Sequence, residues 1–213
     1  MLVGGDLLLE YVQLYRSVWL KGRLGGGKTS LAVYIARYLQ SRGYKFISNI
    51  PVEGAIRLPS AADFSRAVVL LDEAADFLDA YEFKSELAAS FKYLRHYDLV
   101  VLLPCTDPVH RRLRKLVVER VFRLEALLPV PPIWLYRFWV GPSMEWPGRK
   151  AIGGHFLFLP NAVFGRYAST HGGRGVTTVA VLRALRQALV EGSENIIAKE
   201  LVIASEDVQY SPE

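Results

Sequence analysis

Eight consecutive residues carry the densest chemistry in the chain: Gly22-Arg23-Leu24-Gly25-Gly26-Gly27-Lys28-Thr29. They fit G-x-x-x-x-G-K-[ST] at every defined position. Glycines let the backbone curl until several N–H groups point at one phosphate. A helix opening at Thr29 adds its positive dipole end. In that arrangement Lys28 reaches the β- and γ-phosphates of a nucleoside triphosphate, and the Thr29 hydroxyl is placed to ligate Mg²⁺. The candidate phosphate-binding residues are Gly22, Gly25, Gly26, Gly27, Lys28, Thr29 and Ser30. A chance glycine-rich turn is the bland alternative, but this one follows a predicted strand and opens a predicted helix.

A second constellation is Val68-Val69-Leu70-Leu71-Asp72-Glu73, an apolar strand ending in two carboxylates. Ligands of α/β sheets sit at the carboxyl ends of parallel strands. Asp72 is therefore the candidate to hold Mg²⁺ through water, and Glu73 the candidate base that orients and activates an attacking water. Alone, two acids at a strand end mean little. Downstream of a full phosphate loop they read as its partner motif. No N-K-x-D guanine-reading motif accompanies them, which favours ATP over GTP.

Elements that could position these residues follow from hydrophobic pattern. Leu7–Tyr15 reads as a short helix and Ser17–Lys21 as a strand running into the glycine loop. In Thr29–Arg42, Leu31, Ile35 and Leu39 share one helical face, and Gly43 is a natural stop. Tyr44–Ile50 and Ala67–Leu71 read as strands, Ser85–Arg95 as a helix, Asp98–Leu103 as a strand ended by Pro104, and Pro108–Leu116 as a short basic helix. Val118–Leu124 is a fifth strand. Strands alternating with helices indicate a mostly parallel sheet covered on both faces. After Pro129 the character changes. Ile133–Val140 and His155–Phe164 bracket a Gly/Pro region like an antiparallel hairpin, and Val176–Glu191 reads as a helix. The expected organisation is an ATPase core over residues 1–128, with residues 129–213 as a hairpin-and-helix extension of the same domain. The fold class is α/β: a P-loop NTPase with a mostly parallel five-strand core sheet flanked by helices, plus a C-terminal β-hairpin and helix.

Composition sets the outer bounds. The chain has 213 residues, half of them hydrophobic, as expected for one folded α/β domain. A single cysteine, Cys105, excludes a disulfide framework or a cysteine zinc site. The four histidines, His96, His110, His155 and His171, lack metal-ligand spacing. The net charge of +5 suits an anionic partner. No signal peptide and no uncharged span of about 18 apolar residues is visible, so a cytoplasmic location in a host cell is expected, with any membrane or virion association made through partners.

Several short motifs follow the phosphate loop in order. These are Asn49-Ile50, Leu71-Asp72-Glu73-Ala74, Arg95-His96 before Asp98-Leu99-Val100-Val101, Thr106-Asp107-Pro108, Leu113-Arg114-Lys115-Leu116 and Gly165-Arg166-Tyr167-Ala168-Ser169. In this order the sequence resembles the Zot-like (zonular occludens toxin) ATPases of filamentous phages, over roughly Ser17 to Thr170. That family is similar to the wider FtsK–HerA class of DNA-pumping ATPases, which includes viral genome-packaging motors. The resemblance implies ATP and Mg²⁺ as ligands, DNA as cargo, a homo-oligomeric ring, and a viral capsid or membrane protein as further partner. It also implies a catalytic set. The family often carries a glutamine after the strand that follows the acidic pair; here the chain reads Pro104-Cys105-Thr106, so Thr106 stands where it would bond the γ-phosphate or lytic water. Arg95, with His96 just before a strand, reads as structural from its position, and the resemblance implies the alternative of a subunit-interface trigger. Filamentous-phage members carry a membrane span and an external domain after the ATPase, and this sequence shows neither.

Two further features have more than one reading. His110-Arg111-Arg112-Leu113-Arg114-Lys115, with Arg120 and Arg123 beyond, would hold DNA phosphates, supply an arginine to a neighbouring subunit, or be a solvated face. Ile133–Trp139 is aromatic on both faces, either hairpin core or a contact patch. The function this points to is an ATP-driven viral motor for DNA packaging or virion assembly. The rivals are a membrane-partnered extrusion ATPase, a small-molecule or nucleotide kinase, and a nucleotide-dependent scaffold.

Overall fold

Side chains alternate across a strand, so a strand apolar at every position needs cover on both faces. The central strands of this chain have that cover. The computed structural model describes residues 2–21, 25–73, 93–105, 120–130, 133–142, 152–160, 163 and 176–190. Its elements are β1 (Leu2–Val3), α1 (Asp6–Tyr15), β2 (Ser17–Lys21), α2 (Lys28–Gln40), β3 (Lys45–Ser48), a 3-10 turn (Ala61–Phe64), β4 (Ala67–Leu70), β5 (Val100–Cys105), β6 (Arg120–Val130), β7 (Ile133–Pro142) and β8 (Ile152–Phe158). A further helix, α3, spans 176–190.

All eight strands join one sheet in the order β1-β8-β7-β6-β2-β5-β4-β3. The neighbours β6-β2-β5-β4-β3 are parallel, β6 meeting β2 at the single pair Lys21↔Arg123. Strands β6, β7, β8 and β1 are antiparallel in turn. Strand β5 lies between β2, which feeds the glycine loop, and β4, which leads to Asp72.

The two faces separate by residue parity. Trp19, Ile47, Val69, Leu71, Val101, Leu103 and Cys105 pack on one side against Val181, Leu182, Leu185 and Leu189 of α3. Val18, Leu20, Phe46, Val68, Leu70, Val100 and Leu102 pack on the other against Leu8 and Val12 of α1 and Leu31, Ile35 and Leu39 of α2. Helix α3 thus supplies the cover of one face of the central sheet. Tyr136, Phe156 and Phe158 of the antiparallel part join the α1–α2 side.

Several boundaries differ from the sequence reading, each for a local reason. The strand expected at Asp98–Leu103 is Val100–Cys105. Asp98 has φ 50°, outside the extended region, so the strand starts after it. Pro104 does not end the strand. Its carbonyl accepts from Glu73 N at 2.9 Å, so its nitrogen also faces β4, and the β4–β5 pairs stop at Leu70↔Leu102. The fifth strand expected at Val118–Leu124 is the longer Arg120–Val130, with a register shift between Ala126 and Leu128. Position 128–129, where the composition changes, falls inside it. Strand β7 therefore pairs on both sides, with β6 and with β8. Helix α2 ends at Gln40, two residues short of the expected Arg42; Gly43 then takes φ 88°, and its N–H and that of Tyr44 donate to Gln40 O and Leu39 O. The segments read as Ser85–Arg95 up to residue 92, Pro108–Leu116 and Gly165–Ser169 lie outside the described residues.

Candidate functional site

The loop backbone explains two of its glycines. Gly25 and Gly27 have φ of 71° and 75°, a conformation that L side chains rarely adopt, and Gly27 is the N-cap of α2. Helix α2 opens at Lys28, one residue earlier than expected, so Lys28, Thr29 and Ser30 form its first turn. Their N–H groups are those a helix leaves without intrahelical partners. Lys28 and Ser30 are buried. Gly22, Arg23 and Leu24 lie outside the described residues, as does Thr106.

The fold brings the acidic pair to this helix start. The Thr29 hydroxyl donates to Asp72 Oδ1 at 2.7 Å. Lys28 Nζ stands 4.0 Å from Glu73 Oε1. Asp72 is 2% exposed, whereas the Glu73 side chain retains about a third of its exposure, 32%. Glu73 takes φ 46°, a strained value for a residue with a side chain, and its N–H is anchored on Pro104 O of β5. Thus α2, the end of β4 and the end of β5 meet at one point.

Asn49 was quoted in the sequence only as part of a short motif, yet it is central here. It is fully buried. The β3–β4 ladder ends at Ser48↔Leu70, after which Asn49 N donates to Leu70 O at 3.2 Å. Its carboxamide then continues the ladder as a peptide group would: Oδ1 accepts from Asp72 N at 2.8 Å and Nδ2 donates to Asp72 O at 2.9 Å. Nδ2 also donates to Thr178 Oγ1 of α3 at 2.9 Å. An asparagine after an apolar strand gives no sequence signal that separates this role from a turn residue. A second unforeseen contact is the Tyr136 hydroxyl of β7, which donates to the Gly26 carbonyl.

Arg95 is not brought to this point. It precedes β5, and its guanidinium donates to Leu14 O, just before β2, at 3.4 Å. That is the amino end of the parallel strands, whereas the glycine loop follows their carboxyl end. There, Asp98 accepts from Arg16 and from the Tyr44 hydroxyl, and lies 4.0 Å from Arg66. The strand register instead sets the Arg123 backbone beside Lys21, at the loop end. The basic stretch from His110 to Lys115 lies outside the described residues.

Thr29 and Asp72 offer two hard oxygens 2.7 Å apart at a helix N-terminus, a donor set suited to Mg²⁺ completed by phosphate and water. Among the described residues no group of three or more His, Cys, Asp or Glu side chains could hold a metal by itself. None of the described helices is long and apolar enough to cross a membrane.

No family model matches this sequence, and no curated protein matches it. Among solved structures, the chain is similar to the N-terminal domain of zonular occludens toxin from Neisseria meningitidis, at 15% identity and a TM-score of 0.49, over 71% of this chain and 98% of that one. A likeness at that level bears on neither ligand nor reaction. What the site can do rests on its own geometry: a buried lysine, a hydroxyl bonded to a buried carboxylate, and a second carboxylate beside the lysine, at the mouth of a positive-φ glycine loop.

Proposed function

We propose that this chain hydrolyses ATP with Mg²⁺ and uses the energy to move DNA during viral packaging or virion assembly, as a homo-oligomeric ring. The observation that carries the hydrolytic part is the Thr29–Asp72 hydrogen bond, made while Lys28 and Glu73 stand side by side. Glycine loop N–H groups and Lys28 hold the phosphates. Thr29 and Asp72 are the residues that would hold the cation. Held there, Mg²⁺ would supply charge compensation for the triphosphate. Glu73, more exposed than Asp72 and fixed through its own N–H, orients a water and accepts its proton as the water attacks. Lys28 moves its interaction from Glu73 to the phosphates.

DNA as cargo is supported by the ordered short motifs that resemble the Zot-like ATPases, by the net charge of +5 and by the basic stretch His110–Lys115. A fold does not fix a function, so the test is direct. Phosphate release from ATP is measured with and without DNA, over a range of protein concentration. Stimulation by DNA is expected. No release by the wild-type chain overturns hydrolysis. Release that ignores DNA, with phosphate passed instead to a small acceptor, overturns the motor in favour of a kinase.

A further inference from the structure

We propose that Tyr136 is a positioning residue for the phosphate loop, pinning the Gly26 carbonyl so that the Gly27 N–H is aimed at a bound phosphate. The inference rests on the nucleotide reading above.

Tyr136 lies in the middle of β7 and is 1% exposed. Its ring stacks on Phe156 at 5.2 Å with an interplanar angle of 11°, and lies 6.4 Å from Phe158. A phenylalanine would make those contacts equally well. The hydroxyl adds a polar group to an apolar cluster, which costs stability unless it is hydrogen-bonded. Its partner is a loop carbonyl 110 residues earlier in the chain, at Gly26.

That carbonyl is one half of a rigid unit. The Gly26–Gly27 peptide is planar and trans, so its C=O and N–H point in opposite directions. Holding the oxygen towards β7 turns the Gly27 N–H away from β7. Gly27 is the N-cap of α2 and has φ 75°. Without a Cβ at Gly26 or Gly27, no side chain of their own restricts rotation of this peptide. A loop of three successive glycines gains its flexibility at an entropic cost on binding, and an external hydrogen bond lowers that cost by fixing the loop beforehand. Tyr136 supplies the bond from a strand paired on both sides, a firmer base than the loop has of its own.

The test is Tyr136→Phe in the full chain, which removes one oxygen and keeps the ring. Affinities for ADP and for AMP are measured by calorimetry, with thermal unfolding as a control and ATP turnover as a kinetic readout. The loop N–H groups cradle the α- and β-phosphates. Of these, the Gly27 N–H is assigned to the β-phosphate, which AMP lacks, so AMP serves as the internal reference. Expected is a loss of ADP affinity of about three- to tenfold, the size of one hydrogen bond. AMP affinity should be unchanged, and KM for ATP should rise more than kcat falls. Tyr136→Leu, which also removes the stacking, should lower the unfolding temperature, which separates the ring's role from the hydroxyl's. Equal ADP affinity in wild type and Tyr136→Phe overturns the inference alone. Equal losses for ADP and AMP also overturn it, since they mark a general loosening. A wild-type chain that binds neither nucleotide overturns the nucleotide reading, and this inference with it.

Discussion

Lys28 and Glu73 stand 4.0 Å apart, and the proposed reaction gives them opposite tasks. Lys28→Ala removes the cation facing the phosphates and is expected to abolish tight nucleotide binding. Glu73→Gln keeps shape and hydrogen bonding but not the base, so binding is retained while turnover falls about 10²- to 10⁴-fold. Binding and single-turnover measurements on both variants check this, and near-normal turnover in Glu73→Gln would reassign the base. Asn49 gives a second expectation at this scale. Asn49→Ala takes away one hydrogen bond each from Asp72 N, Asp72 O and the Thr178 hydroxyl, in a buried place. A loss of about 1–3 kcal/mol is expected per group left unsatisfied, with a higher Mg²⁺ requirement for turnover because Asp72 is no longer held. Asn49→Asp fits the same volume but cannot donate, and it sets a carboxylate beside Asp72; it should be worse than Ala in the Mg²⁺ titration. Denaturant unfolding and Mg²⁺-dependent rates decide both. Lys28, Thr29, Asp72 and Glu73, singled out in the sequence by type and spacing, lie together in the structure. The roles of Asn49 and Tyr136 were not legible there, because their partners lie 23 and 110 residues away, joined only by sheet register.

The elements that read clearly in the sequence are those with both faces buried. The strand expected at Ser17–Lys21 is β2, residue for residue, and Ala67–Leu71 differs from β4 by one. Helical periodicity likewise placed Leu31, Ile35 and Leu39, all of which are buried. The antiparallel part was less legible. Pro129, Pro131 and Pro132 read as a break, but Pro129 pairs with Trp134 beside a register shift, near the end of β6 where a missing donor is tolerated. The two-residue β1, paired to Phe158 and Leu157, carries no sequence signal at all. Helix α3 shows what periodicity leaves out: its apolar stripe was legible, the surface it covers was not. Leu185 is fully buried in the cluster that contains Trp19, Val101 and Leu103. Leu185→Ala is expected to cost about 2–5 kcal/mol, as for other buried leucines. If α3 were a peripheral attachment, the cost would fall below about 1 kcal/mol, and denaturant titration separates the two.

At the scale of the whole molecule, the open question is where the remaining positive charge comes from. Charge building on a γ-phosphate in flight calls for a cation beyond Lys28 and Mg²⁺, and ring ATPases commonly draw it from the next subunit. The strand direction sorts the candidates. Arg95 lies at the amino end of β5, with its guanidinium on Leu14 O. The glycine loop lies past the carboxyl end, roughly 20 Å away along a six-residue strand. Arg95 therefore cannot serve its own chain's nucleotide; if it acts in catalysis, it acts on a neighbour's. Arg123 has its backbone beside Lys21, at the loop end of its own chain. The two alternatives differ kinetically. Supply in trans predicts turnover per subunit that rises with protein concentration as subunits associate. Arg95→Ala should then bind ATP normally, turn over at least about tenfold more slowly, and regain activity when mixed with Glu73→Gln, whose subunits are inactive but still carry Arg95. Supply in cis predicts constant turnover on dilution, loss in Arg123→Ala, and no recovery on mixing. A dilution series of phosphate release, paired with mass by light scattering, distinguishes them. Constant turnover in a confirmed monomer would remove the ring from the proposed function and leave an ATPase that works alone.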